Sequence, residues 1–362
     1  MTPSTPVERL AELLVGRSLG VQPGWQVMVV ATPLARPLVE SVTRSIARRG
    51  AYPLVRLSFT ERERIPLEGV WAEEAPLELV SALAPSEERT LAEIDAYLIV
   101  FSPENVNDAG RLAIERRRAL GQAHRGFSRR TAGNDVAWVS VPFPTQALAQ
   151  EAGLTLGAYE DILYAACLRD WDSERERMRR YADRFDSASD VRIVASGTDL
   201  SLSLAGRLAE IDDAHRNMPG GEFFYSPLES SAEGVIEFTE FPAAYGGHRC
   251  EGIRLRFEQG VVVDASARQG EEYLLSVLDT DGGARRLGEL GIGCNTGLPR
   301  HVQHMWFDEK VAGTIHLALG QGFPFLGGTN ESTIHWDLVK DLSDGYIELD
   351  GVKVQEAGDW LL

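Results

Sequence analysis

Between residues 25 and 144 the chain alternates apolar runs of strand length with helical stretches, and this alternation narrows the possible folds more than any other feature. WQVMVVA (25–31) reads as a buried strand, PLARPLVESVTRSIARRG (33–50) as a helix ending at Gly50, and YPLVRLSF (52–59) as the next strand. AYLIVFS (96–102) and VAWVSVPFP (136–144) continue the series, with a helix between them. Parallel neighbours need long crossovers, so this spacing predicts a doubly wound, mainly parallel sheet. The turn after the first strand, ATPLARP, lacks the glycine pattern of a nucleotide loop, and nucleotide binding is set aside.

A charged helix, DSERERMRRYADRFDSAS (172–189), then leads to VRIVASGTDLSLSLAG, whose two short runs about Gly-Thr-Asp predict a hairpin. Beyond it the texture changes to short strands punctuated by glycine, among them GVIEFTEF, GIRLRFEQGVVVDASA and GTIHLALG. A chain of 362 residues exceeds what one core usually covers. We therefore expect an α/β N-terminal domain over residues 1–187 and a β-rich α+β domain, mostly antiparallel, over 188–362. Six of the seven histidines lie in the second half and only His124 in the first, so the chemistry is expected in the second domain.

The net charge of −18 opposes the counterion-release attraction on which nucleic-acid binders depend. Cys167, Cys250 and Cys294 lie far apart without a CxxC spacing, which suggests neither a disulfide framework nor a thiolate zinc site and fits a reducing cytoplasm. The opening MTPSTPVERLAELLVG lacks the basic start and continuous apolar core of a signal peptide. No run of about 18 apolar residues suggests a membrane span.

His335 and Asp337 form H-W-D, and on a strand they would share one face while Trp336 points away. In GTIHLALG the same alternation sets Thr314, His316 and Ala318 on one face, where small neighbours leave room for an imidazole to act as a ligand. Glu289 sits between glycines in RRLGELGIGCN, and Glu222 follows the turn N-M-P-G-G at the start of an apolar run. Read singly, these are a surface pair, a hydrogen-bonded core histidine and two solvated glutamates. Together they supply three carboxylates and two imidazoles, a donor set suited to one or two borderline divalent ions such as zinc, cobalt, manganese or iron.

The segments NMPGGEFFYSP, RRLGELGIGCN, FDEKVAGTIHLALG and NESTIHWDLV resemble, in order and wording, the signatures of the thermophilic metallo-aminopeptidase family that includes aminopeptidases S, T and PepS. The opening LVGRSLGVQPGWQVMVVATPLARPLVE is similar to that family's N-terminal domain. The resemblance implies that Glu222, Glu289, His316, His335 and Asp337 are metal ligands, with Glu289 as a bridge, and that Glu309 of F-D-E-K is a further acidic site residue. Phe323 of Q-G-F-P departs from the pattern, standing where better-known members have a tyrosine implicated in catalysis. The implied activity is hydrolysis of the N-terminal peptide bond of short peptides by a metal-activated water, in a homodimer that encloses its active sites. Two other readings stand beside it. One is an iron-dependent ring-cleaving dioxygenase using His316, His335 and Asp337; the other is a non-catalytic peptide-binding relative.

Overall fold

The computed structural model describes residues 5–58, 69–106, 112–133 and 135–361. Gln26–Ala31 (β1), Tyr52–Leu57 (β2), Ala96–Phe101 (β3) and Ala137–Pro142 (β4) form a parallel sheet in the order β2-β1-β3-β4. The chain runs outward from β1 to β2 and then crosses back to β3 and β4, the reversal that makes a sheet doubly wound. β1 and β3 are continuous apolar runs, as central strands covered on both faces must be, whereas β2 at the edge leaves Tyr52, Val55 and Leu57 exposed. Phe59, at the end of the expected second strand, lies outside the described residues. The helix after β1 spans Arg36–Arg48, buries Leu38, Val42 and Ile46 along one stripe, and ends before Gly50, whose φ of 73° is the left-handed conformation glycine supplies at helix ends. Two helices, Ile114–Ala123 and Arg125–Ala132, connect β3 to β4 where one was expected.

The remaining strands form two sheets whose named pairs are all antiparallel. A nine-stranded sheet contains the expected hairpin, Asp190–Ala195 with Thr198–Ser203, and a longer one, His248–Glu258 with Val261–Gln269. A five-stranded sheet runs His335–Asp341, Thr314–Gly320, Leu287–Gly293, Glu222–Tyr225, Glu210–Asp212. One hydrophobic core takes Ile193, Leu200 and Ile236 from the larger sheet and Phe223, Leu290, Leu317 and Trp336 from the smaller.

The chain folds into two compact units, one of residues Met1–Arg169 with Ala214–Gly220, the other of Asp170–Asp213 with Gly221–Leu362. This differs from a single cut at 187/188. The charged helix, Trp171–Asp186, belongs to the second unit because Met178, Ala182 and Phe185 form an apolar stripe within its core. The segment 214–220 belongs to the first, where the Ser140 amide donates to the Arg216 carbonyl (2.8 Å) and the Met218 amide to the Ser140 carbonyl (2.8 Å). No helix among the described residues is long and apolar enough to cross a membrane.

Candidate metal centre

Register decides what the five-stranded sheet presents on each face. Glu289 lies opposite Ala318, and Ala318 opposite Asp337; Gly291 lies opposite His316, Gly293 opposite Glu222, and Gly320 opposite His335. The ionisable side chains thus alternate across the strands with glycine or alanine, on the face away from the core that holds Phe223, Leu290, Ile292, Ile315, Leu317 and Trp336. A Cβ on Gly291 would meet the His316 ring 1.9 Å away, so the imidazole fills the space that a side chain there would need.

Glu289 reaches this face through an irregularity. Leu287 pairs with Leu319 but Glu289 with Ala318, so the strand carries one extra residue at Gly288. Leu287 accordingly points into the core, and Glu289, two residues later, points out of it. Only glycine fits at the bulge, since a Cβ there would lie 2.2 Å from the Gln321 carbonyl oxygen.

The cluster has two similar halves. In one, His316 Nε2 stands 3.3 Å from Glu289 Oε1 and 3.6 Å from Glu222 Oε2. In the other, His335 Nε2 stands 3.1 Å from Glu289 Oε2 and 3.6 Å from Asp337 Oδ1. Glu222 Oε2 and Asp337 Oδ1 are buried with no hydrogen-bond partner among the described residues, one such oxygen in each half. Each imidazole turns Nδ1 to a backbone carbonyl, His316 to Glu309 (3.2 Å) and His335 to Gln321 (3.0 Å). A carbonyl only accepts, so Nδ1 carries hydrogen in both rings and Nε2 faces the carboxylates, the orientation that metal-binding histidines take. Ligand atoms of Glu289, His316 and Asp337 all lie within 4.8 Å of one another, close enough for one ion.

Electrostatics agree with this grouping. Burial works against both imidazolium ions, yet the hydrogen bond to Glu289 and the surrounding carboxylates raise His316 to about 10; Asp337 and Glu289 raise His335 to about 10. Burial also works against the Glu289 carboxylate, but its hydrogen bonds to the two histidines bring it down to about 2. Desolvation lifts Glu222 to about 8 and Asp337 to about 6. Protons on the imidazoles balance the carboxylates, and a divalent ion would displace them on binding.

Two participants carry no signal in the local sequence. Lys310 is fully buried, its ammonium donating to Glu222 Oε1 (2.9 Å) and to Glu309 Oε1 and lying 3.5 Å from Asp212 Oδ2. In F-D-E-K a surface pair is the simpler reading, and only the fold reveals the lysine as an internal cation. Asp212 comes in through its register with Glu222. Glu309 lies beside Lys310 and orients His316 through its backbone carbonyl. Phe323 stands next to the cluster with its ring centroid 5.3 Å from that of His335, and its amide donates to Ser226 Oγ (2.8 Å), which itself donates to the Gly288 carbonyl (2.7 Å).

Compared with known proteins, residues 4–360 match the family model of the thermophilic metalloproteases, M29. The chain belongs to the M29 metalloprotease family. Curated relatives include aminopeptidase 2 of Geobacillus stearothermophilus, 28% identical with 96% of this chain and 94% of that protein covered. Aminopeptidase T of Thermus thermophilus is also 28% identical, with 91% of each covered. Among solved structures, wild-type AmpT from Thermus thermophilus superposes with a TM-score of 0.83 at 25% identity over 99% of both chains. The 2,5-dihydroxypyridine dioxygenase from Pseudomonas putida KT2440 superposes with a TM-score of 0.58 at 15% identity over 99% of this chain and 98% of that one, a likeness of fold. Membership in M29 implies a divalent metal. The donor set fits one, because it leaves two buried carboxylate oxygens without donors beside two Nε2 atoms.

Proposed function

We propose that this M29 protein is a metal-dependent aminopeptidase acting on short peptides with a free N-terminus, with Glu289 bridging two divalent ions. Glu222 and His316 would complete one half of the centre, and His335 and Asp337 the other. The observation that carries this reading is the division of Glu289: each of its oxygens faces a different imidazole, and each half holds one carboxylate oxygen lacking a donor. Charge supports two ions as well. Asp212, Glu222 and Glu309 surround the ammonium of Lys310, Glu289 and Asp337 stand by the imidazoles, and two divalent ions would make these five carboxylates and one ammonium neutral. Imidazole and carboxylate donors without thiolate suit zinc, cobalt or manganese.

When bound, such ions supply Lewis-acid activation of the scissile carbonyl and of the attacking water. The chain's own residues do the rest. Backbone carbonyls hold both imidazoles in the tautomer that presents Nε2, and Lys310 orients Glu222 and Glu309. Glu309 is our candidate to take the proton from the attacking water. The dioxygenase reading needs only His316, His335 and Asp337; Glu222 and Glu289 within the same cluster favour hydrolysis.

Chelation should abolish release of amino acids from unblocked short peptides, cobalt, zinc or manganese should restore it, and N-acetylated peptides should resist cleavage. Glu289→Gln should lower metal content and turnover together, while Glu348→Gln, in the other sheet, should leave both unchanged. Full turnover by rigorously metal-free protein would sink the proposal. The resemblance also leads us to propose a homodimer, and a sedimentation mass equal to one chain would refute it.

A further inference from the structure

The centre opens on one side. The side chains of His316, Glu222 and Glu289 are 1%, 6% and 6% exposed, whereas Asp337 is 15% and His335 32% exposed. Beside His335 begins a row of aromatic rings. Phe323 lies 5.3 Å from His335 between ring centroids, 5.3 Å from Phe224 and 5.4 Å from Phe325. Phe224 shares the sheet face of Glu222 and pairs with Gly291, placing it across from the His316 strand. Phe325 is 61% exposed, a large apolar ring facing water next to a polar centre.

The loop that carries these rings is braced. Phe323 is tied to Ser226, the Gly328 amide donates to the Phe323 carbonyl (2.9 Å), and Asn330 Nδ2 donates to the Gly320 carbonyl (2.6 Å). Arg207 Nη1 donates to the Leu326 carbonyl (3.3 Å) and its guanidinium pairs with Glu229 (3.5 Å), which accepts from the Thr329 amide (2.6 Å). Phe325 is therefore held exposed by a fixed backbone, the arrangement of a preformed contact surface.

We propose that Phe224, Phe323 and Phe325 form the subsite for the side chain of the residue being removed, selecting apolar and above all aromatic N-terminal residues. The inference rests on the aminopeptidase reading. In an N-terminal residue the side chain and the scissile carbonyl share one Cα, so a carbonyl placed on the open half of the centre sets the side chain within a few ångströms of His335, against Phe323. Aromatic side chains gain edge and stacking contacts there. Aspartate or glutamate would set an unpaired charge against apolar rings, and should be poor N-terminal residues.

The test compares kcat/KM for p-nitroanilides of Phe, Leu, Ala and Asp on metal-loaded wild type, Phe323→Ala, Phe325→Ala and Phe323→Tyr, with metal content measured for each. Wild type should prefer Phe to Ala, and either alanine variant should reduce that ratio by about tenfold or more at unchanged metal content. Phe325 is mostly exposed, so its truncation leaves the core closed. Phe323→Tyr keeps the ring and should preserve the ratio; a gain from its hydroxyl would raise all substrates alike. A Phe/Ala ratio unchanged in both alanine variants, with Ala still released, overturns the subsite alone. No turnover of any free-amine substrate by loaded wild type overturns the activity beneath it.

Discussion

Lys310 shows how much one side chain can depend on its surroundings. It is fully buried, and its ammonium sits among Glu222, Glu309 and Asp212. Removing one partner of a buried ionic set leaves the others uncompensated, which costs about 3–5 kcal/mol. Lys310→Met should lower the unfolding free energy of metal-free protein by that amount in urea titrations; a loss below about 1 kcal/mol would mean that water or protons already satisfy the three carboxylates. At this scale the sequence exposed the donor types but not their partners. Glu222, Glu289, His316, His335 and Asp337 each had an ordinary reading when taken singly, and the family resemblance supplied their weight.

Elements aim these residues, and here alternation was a good guide for two of the strands. His335 and Asp337 share a face with Trp336 in the core behind them, and His316 alternates with Ile315 and Leu317 as its sequence implies. The Glu289 strand departs from that rule. A strict period of two would put Glu289 on the side of Leu287, and the bulge at Gly288 sends it to the other. The approach to the His335 strand is held by Asp281, which accepts from the Gly283 amide (3.0 Å), Ser332 Oγ (2.8 Å) and both the amide and hydroxyl of Thr333 (2.8 Å each). The Thr333 amide bond is the main reason that its carboxyl is lowered to about 2. A depressed folded-state pKa contributes stability that is present above the unfolded value of about 3.9 and lost as pH falls toward 2. The stability difference between wild type and Asp281→Asn in urea should therefore shrink between about pH 4 and pH 2; a difference constant over that range would show that the carboxylate charge does not hold the loop.

For the whole molecule, periodicity alone specified a parallel α/β sheet followed by glycine-punctuated antiparallel strands, because the spacing of apolar residues sets which face of an element can be buried. The charged run 172–189 read as a helix, and the helix spans Trp171–Asp186. The run did not say which core the helix would join, and packing assigned it to the second unit, while residues 214–220 returned to the first. The chemistry divides in the same way. Sequence determined the kinds of donor, the local faces of His316, His335 and Asp337 and, through four short blocks, the family. Only tertiary structure decided that Glu222 and Asp337, distant along the chain, would stand in one cluster with Lys310 between acidic partners and a row of phenylalanines at its open side. Local periodicity governs which way a side chain points from its own strand, whereas the neighbouring strand and its register are set by long-range packing that no short segment encodes.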